Sequence, residues 1–76
     1  MERRNEKLIA TFAKVLKQHR KAAGLSQEEL AFRTDLSVSF ISLLETKNRQ
    51  PTLTVLAALC EQLDVSMAVF LAEIEG

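Results

Sequence analysis

Apolar residues recur three and four apart along most of the chain, the spacing that gathers side chains on one stripe of an α-helix. Leu8, Phe12, Val15 and Leu16 mark the first stripe and predict a helix from about Glu6 to Ala22, with Lys7, Lys14, Lys17 and Lys21 mostly off it. Gly24 then stands where a left-handed residue closes a helix. Ser26-Gln27-Glu28-Glu29 is a capping box that opens a second helix, with Leu30 and Ala31 facing inward and an end near Thr34-Asp35. Asp tolerates the left-handed backbone that a tight turn needs there. Ser37 caps a third helix that runs to about Thr46, with Ile41 and Leu44 on its buried stripe. The polar stretch Lys47-Asn48-Arg49-Gln50-Pro51 follows, and Asn48 is expected to supply a positive φ. Thr52 opens a fourth helix to about Leu63, with Leu53, Leu56, Leu59, Cys60 and Leu63 in the core pattern. Ser66 caps a fifth that ends near Ile74, with Phe70 and Leu71 in the core. The pattern predicts an all-α chain with two short helices joined by a three-residue turn at its centre.

Length narrows this picture. The 76 residues make one domain, 1–76. A chain of this size buries only about 60% of its unfolded surface, so a partner subunit would be a natural supplement. Gly 2 and Pro 1 argue against a turn-rich all-β domain. No repeat, linker or low-complexity tract interrupts the chain.

Charge changes it further. The formal net charge is zero, but residues 1–49 hold all ten bases against six acids, while residues 50–76 hold four acids and no base. One end is suited to a polyanion and the other to a different task. Cys60 is the only cysteine, which rules out an internal disulfide, and it lies on an apolar stripe where a thiol acts as a small hydrophobe. The N-terminal MERRNEKLIA has no apolar signal core, and no run is long enough to cross a bilayer. The expectation is a cytoplasmic protein with no membrane partner.

Catalysis finds no constellation. His19 is the single histidine, expected to be solvated on the first helix, and no second His or Cys is at hand to complete a metal site. No glycine-rich loop is present to cradle phosphate, and no nucleophile elbow stands out. The chain is therefore expected to be no enzyme and to need no cofactor or small-molecule ligand.

The centre of the chain, GLSQEELAFRTDLSVSFISLLETKNRQPTLTVL, resembles the helix-turn-helix domains of the Cro/lambda-repressor type, the XRE family. The resemblance rests on Arg20, Gly24-Leu25-Ser26-Gln27, Leu30-Ala31, Leu36-Ser37, Ile41-Ser42, Leu44-Glu45 and Pro51, and it extends from about Leu8 to Leu71. In size and in the helix after the fourth, the chain is also similar to the small controller proteins of restriction–modification systems. The resemblance implies a compact five-helix, lambda-repressor-like fold with the helix-turn-helix at about 26–46. A small Ala31 suits the crossing of the second and third helices, and Asp35 replaces the family's usual Gly in the turn.

The resemblance also implies a site on double-stranded DNA. Arg20 and Glu45 would pair between the first and third helices. Gln27 would meet a phosphate, helped by the N–H groups at the start of its helix. Val38, Ser39, Ser42 and Leu43 would face base edges in the major groove, and Thr46, Lys47, Asn48 and Arg49 the sugar-phosphate backbone. Lys47 or Arg49 could also reach a minor groove. Lys14, Lys17 and Lys21 add long-range attraction. Many relatives carry Arg or Gln where this chain has Val38 and Leu43. Apolar contact with thymine methyls, serine hydroxyls and DNA shape must then supply the readout. The rival reading is a protein-binding helix that presents Val38, Phe40 and Leu43 to another polypeptide.

The last two helices, about 52–74, carry more apolar residues than one stripe needs. Val55, Ala58, Met67, Val69 and Ile74 form the surplus. A two-fold homodimer would bury such a patch against itself and set two third helices about one DNA turn apart, on a roughly palindromic operator.

Overall fold

Every helix in the structure begins on an oxygen-bearing side chain. The computed structural model describes residues 4–76, so Glu2 and Arg3, counted in the charge split, lie outside the described residues. Asn5, Ser26, Ser37, Thr52 and Ser66 each accept a hydrogen bond from the backbone N–H three residues on, at 3.0–3.1 Å. These caps open α1 (Glu6–Ala22), α2 (Gln27–Thr34), α3 (Val38–Glu45), α4 (Leu53–Gln62) and α5 (Met67–Glu75). At Ser26 the box is closed, because Glu29 Oε1 accepts from the Ser26 N–H at 2.9 Å. The Ser26 backbone N–H first, and the Ser26 hydroxyl after it, hold the Glu29 carboxyl below its ordinary pKa.

Four helices also end alike. Gly24, Asp35, Lys47 and Asp64 have φ of 73°, 58°, 68° and 56°. The next residue in each case returns its N–H to the carbonyl five back: Leu25 to Arg20, Leu36 to Ala31, Asn48 to Leu43 and Val65 to Cys60, at 2.9–3.1 Å. Lys47, not Asn48, therefore takes the left-handed conformation after α3. The motif places that residue two beyond the last helical one, Glu45, and a lysine there complements the negative end of the helix dipole. Asp35 has the opposite fault, a side chain in the left-handed region with its charge at a helix C-terminus. Asp35→Gly relieves both and should stabilise the fold by about 0.5 kcal/mol, read from the midpoint of a urea titration.

The elements close around one core. α2 packs on α3 and α4, α1 on α3 and α5, and α4 on α5. Leu16, Leu30, Ile41, Leu44, Leu59 and Phe70 are fully buried at its centre, and Ala31 is buried in the α2–α3 pair. Cys60 is buried with them, and burial raises its thiol pKa.

Several core assignments shift. Leu8 is 45% exposed and Ile9 takes its place, because the α1 stripe runs Ile9, Phe12, Ala13, Leu16, Arg20. Leu53, at the first position of α4, projects past the core and is 77% exposed. Leu71 turns about 100° away from Phe70 along α5 and is exposed. Conversely, Val55, Met67 and Ile74, expected on the outer surplus, pack partly against the core. His19, expected to be solvated, is half-buried. Its ring centroid lies 5.5 Å from that of Phe70, and its Nε2 is 2.5 Å from Glu73 Oε1, because α5 folds back over α1. Among the described residues no single helix is long and apolar enough to cross a membrane.

Candidate nucleic-acid interface

α3 has two faces set by its spacing. Ile41 and Leu44 point into the core, which leaves Val38 and Ser42, then Ser39 and Leu43, as two columns of residues four apart on the other side. Val38 is 42% and Leu43 36% exposed. Gln27, at the first position of α2, joins them, and these five residues line one shallow depression. The surface they make offers three acceptor-donor groups and two branched apolar tips. It can touch thymine methyls and hydrogen-bond to base edges, with no bidentate arginine or glutamine reader on α3 itself.

A polar corner borders the depression. Thr46, Lys47, Asn48 and Arg49 are all exposed in the α3–α4 connection. Thr46 Oγ1 donates to the Ser42 carbonyl at 2.8 Å, and Asn48 Nδ2 donates to Thr46 Oγ1 at 2.8 Å, which ties the corner to the end of α3. Arg4 clasps it from outside, donating through Nη2 to the Lys47 carbonyl at 2.7 Å while its Nε meets Glu6 at 2.6 Å. The left-handed backbone at Lys47 is held by the Arg4 bond to its carbonyl and by the Asn48 N–H bond to the Leu43 carbonyl.

Beneath α3 lies the buried charge pair. Arg20 Nε donates to Glu45 Oε2 at 2.7 Å and Nη2 to Glu45 Oε1 at 3.0 Å, a bidentate fork, while Nη1 donates to the Leu25 carbonyl at 2.8 Å. The side chains are 10% and 2% exposed. The hydrogen bond to Glu45 raises the Arg20 pKa beyond its ordinary value, against the opposing effect of burial. The Glu45 carboxylate accepts a third bond, at Oε1, from Gln27 Nε2 at 3.1 Å. Gln27 and Glu45 are eighteen positions apart on different helices, beyond the reach of any periodicity. The Arg4 clasp and the 88% exposure of Phe32 on α2 were likewise not signalled by the pattern. Among the described residues no group of His, Cys, Asp and Glu could hold a metal ion.

Two short helices at a left-handed turn, an outward α3 and a basic corner beside it define a helix-turn-helix module of the kind that DNA-binding transcription regulators carry. A helix-turn-helix family model matches residues 16–70, and the chain belongs to that family, in its XRE-type form. The crystal structure of the clp gene regulator ClgR from Corynebacterium glutamicum is similar with a TM-score of 0.86 at 29% identity, covering 91% of this chain and 73% of that one. The wild-type restriction–modification controller protein C.Esp1396I is similar with a TM-score of 0.82 at 31% identity, covering 90% of each chain. No curated protein sequence matches the chain.

Proposed function

We propose that the chain regulates transcription as a homodimer on a roughly palindromic operator, with α3 of each copy in the major groove. The observation that carries this reading is the depression formed by Gln27, Val38, Ser39, Ser42 and Leu43 beside the exposed Lys47 and Arg49. In this reading Val38 and Leu43 meet thymine methyls, Ser39 and Ser42 bond to base edges, and Gln27 meets a phosphate at the start of α2. Thr46, Lys47, Asn48 and Arg49 hold the sugar-phosphate backbone, and shape supplies much of the selectivity.

The dimer would form through α4 and α5. Val69 is 53% exposed and Ala58 partly so, and Val55, Met67 and Ile74 keep part of their surface open. The exposed Leu8, Leu53 and Leu71 add to the apolar area on α1, α4 and α5. Leu8, Leu71 and Ile74 rim a groove of about 170 Å³ floored by Ile9, Phe12 and Leu56. A self-complementary patch of this kind is covered by a second copy.

Selection from randomised duplex DNA tests the reading. The expected product is an inverted repeat with T-rich half-sites about 10 bp apart between centres. No enrichment at low salt would instead favour the protein-binding role for Val38, Phe40 and Leu43. Leu43→Arg adds a bidentate reader at an exposed position. It should shift one base of each half-site towards G, with about 1–3 kcal/mol of new discrimination in competition binding.

A further inference from the structure

We propose that Glu45 is a positioning residue for DNA binding: its buried carboxylate fixes the Gln27 amide at the rim of the α3 surface before DNA arrives. This rests on the reading of Gln27 as a backbone contact. The geometry begins with Arg20, which anchors Glu45 through two nitrogens and is itself anchored on the Leu25 carbonyl. Glu45 is 2% exposed and cannot turn to water, so Oε1 is a fixed acceptor. Gln27 Nε2 donates to that oxygen at 3.1 Å. An ionised carboxylate only accepts, so the nitrogen of the amide must face it. The orientation of the whole amide plane follows, with Oε1 and the second N–H left for a ligand.

The neighbours explain why the tether is needed. Gln27 shares its depression with Val38 and Leu43, which offer it no hydrogen bond, and with two serines. A glutamine side chain has three rotatable torsions, and ordering it at the moment of binding weakens the complex. The carboxylate does that ordering during folding. It takes up only one of the two amide hydrogens, so a phosphate oxygen can accept the other.

Two measurements test this. The first is a cycle of Gln27→Ala, Glu45→Gln and the double variant, with Kd read on the duplex enriched by selection, well below the melting temperature of every variant. Gln27→Ala should weaken binding roughly tenfold. Glu45→Gln should weaken it about three- to tenfold in the parent and leave it unchanged when Gln27→Ala is already present. Equal losses in both backgrounds would mean that Glu45 acts on DNA only through the general placement of α3, and would overturn the proposal. The second needs no variant and covers the case in which Glu45→Gln fails to fold. Relaxation of side-chain ¹⁵Nε2 in the free protein should give Gln27 an order parameter above about 0.6, and the exposed Gln50 one well below it. A Gln27 as mobile as Gln50 sinks the tether while leaving the DNA contact standing if Gln27→Ala still weakens binding. A rigid Gln27 whose removal does not change Kd sinks the contact itself, and the proposal with it.

Discussion

Arg20→Met will remove about 3–5 kcal/mol from the stability of the fold, because it leaves a buried carboxylate without its cation. The Glu45 side chain is 2% exposed at the end of α3, against Arg20 of α1 and Gln27 of α2, so its carboxylate is desolvated. After the substitution only the Gln27 amide remains to solvate it, and the Leu25 carbonyl loses its donor as well. A chain of this length has a total stability of about 4–11 kcal/mol, so the loss takes about a quarter of it at the least. A urea titration followed by helical circular dichroism reads it as a drop in the midpoint at an unchanged slope. Removing the acid should be milder. In Glu45→Leu the guanidinium keeps its bond to the Leu25 carbonyl, and at 10% exposure its long stem lets it lean towards water. The double variant Arg20→Met, Glu45→Leu should recover much of the Arg20→Met loss, since no uncompensated ion remains. A double variant as unstable as the worse single would show that the fork is needed for its shape and not for its charge balance.

The same pair marks how far local pattern carries. The caps at Ser26, Ser37, Thr52 and Ser66 and the left-handed Asp35 depend on atoms within five residues, so the helix ends could be read directly. The outer face of α3 was legible for a related reason. Once Ile41 and Leu44 are assigned to the core, helical geometry alone sends Val38, Ser39, Ser42 and Leu43 outward. What the pattern left open is which of two adjacent apolar residues meets a neighbour. Ile9 is buried and Leu8 exposed, a difference of one helical step on the helix that packs against α5. Leu53 belongs to the α4 stripe by spacing, yet at the first position of the helix it projects past the core and stays exposed while Leu56 is buried. The His19–Glu73 and Gln27–Glu45 contacts have the same origin, since each needs two helices placed in three dimensions before either residue has a partner.

Phe70→Ala should cost about 3–5 kcal/mol and lower the melting temperature by roughly 15–30 °C. Phe70 is fully buried, with its ring 5.9 Å from that of Phe12 and 5.5 Å from His19, and it is the one buried residue of α5. No other side chain of that helix holds it so deeply, so the cavity should be met by α5 lifting from α1 and not by collapse around it. Under the proposed dimer the consequence reaches DNA. A lifted α5 carries Val69 and Leu71 out of register with a second copy, and each protomer then binds its half-site alone. The lost linkage should weaken operator binding about 100-fold or more, and sedimentation at micromolar concentration should show monomer. Val69→Asp separates the two effects. Val69 is 53% exposed, so a charge there leaves the core intact while it opposes burial of the patch. It should reproduce the monomer and the weakened DNA binding with the monomer fold kept, as judged by near-native helical content. If Val69→Asp stays dimeric and binds the operator with parental affinity, α5 serves only to close the core, and the self-complementary surface lies elsewhere on the molecule.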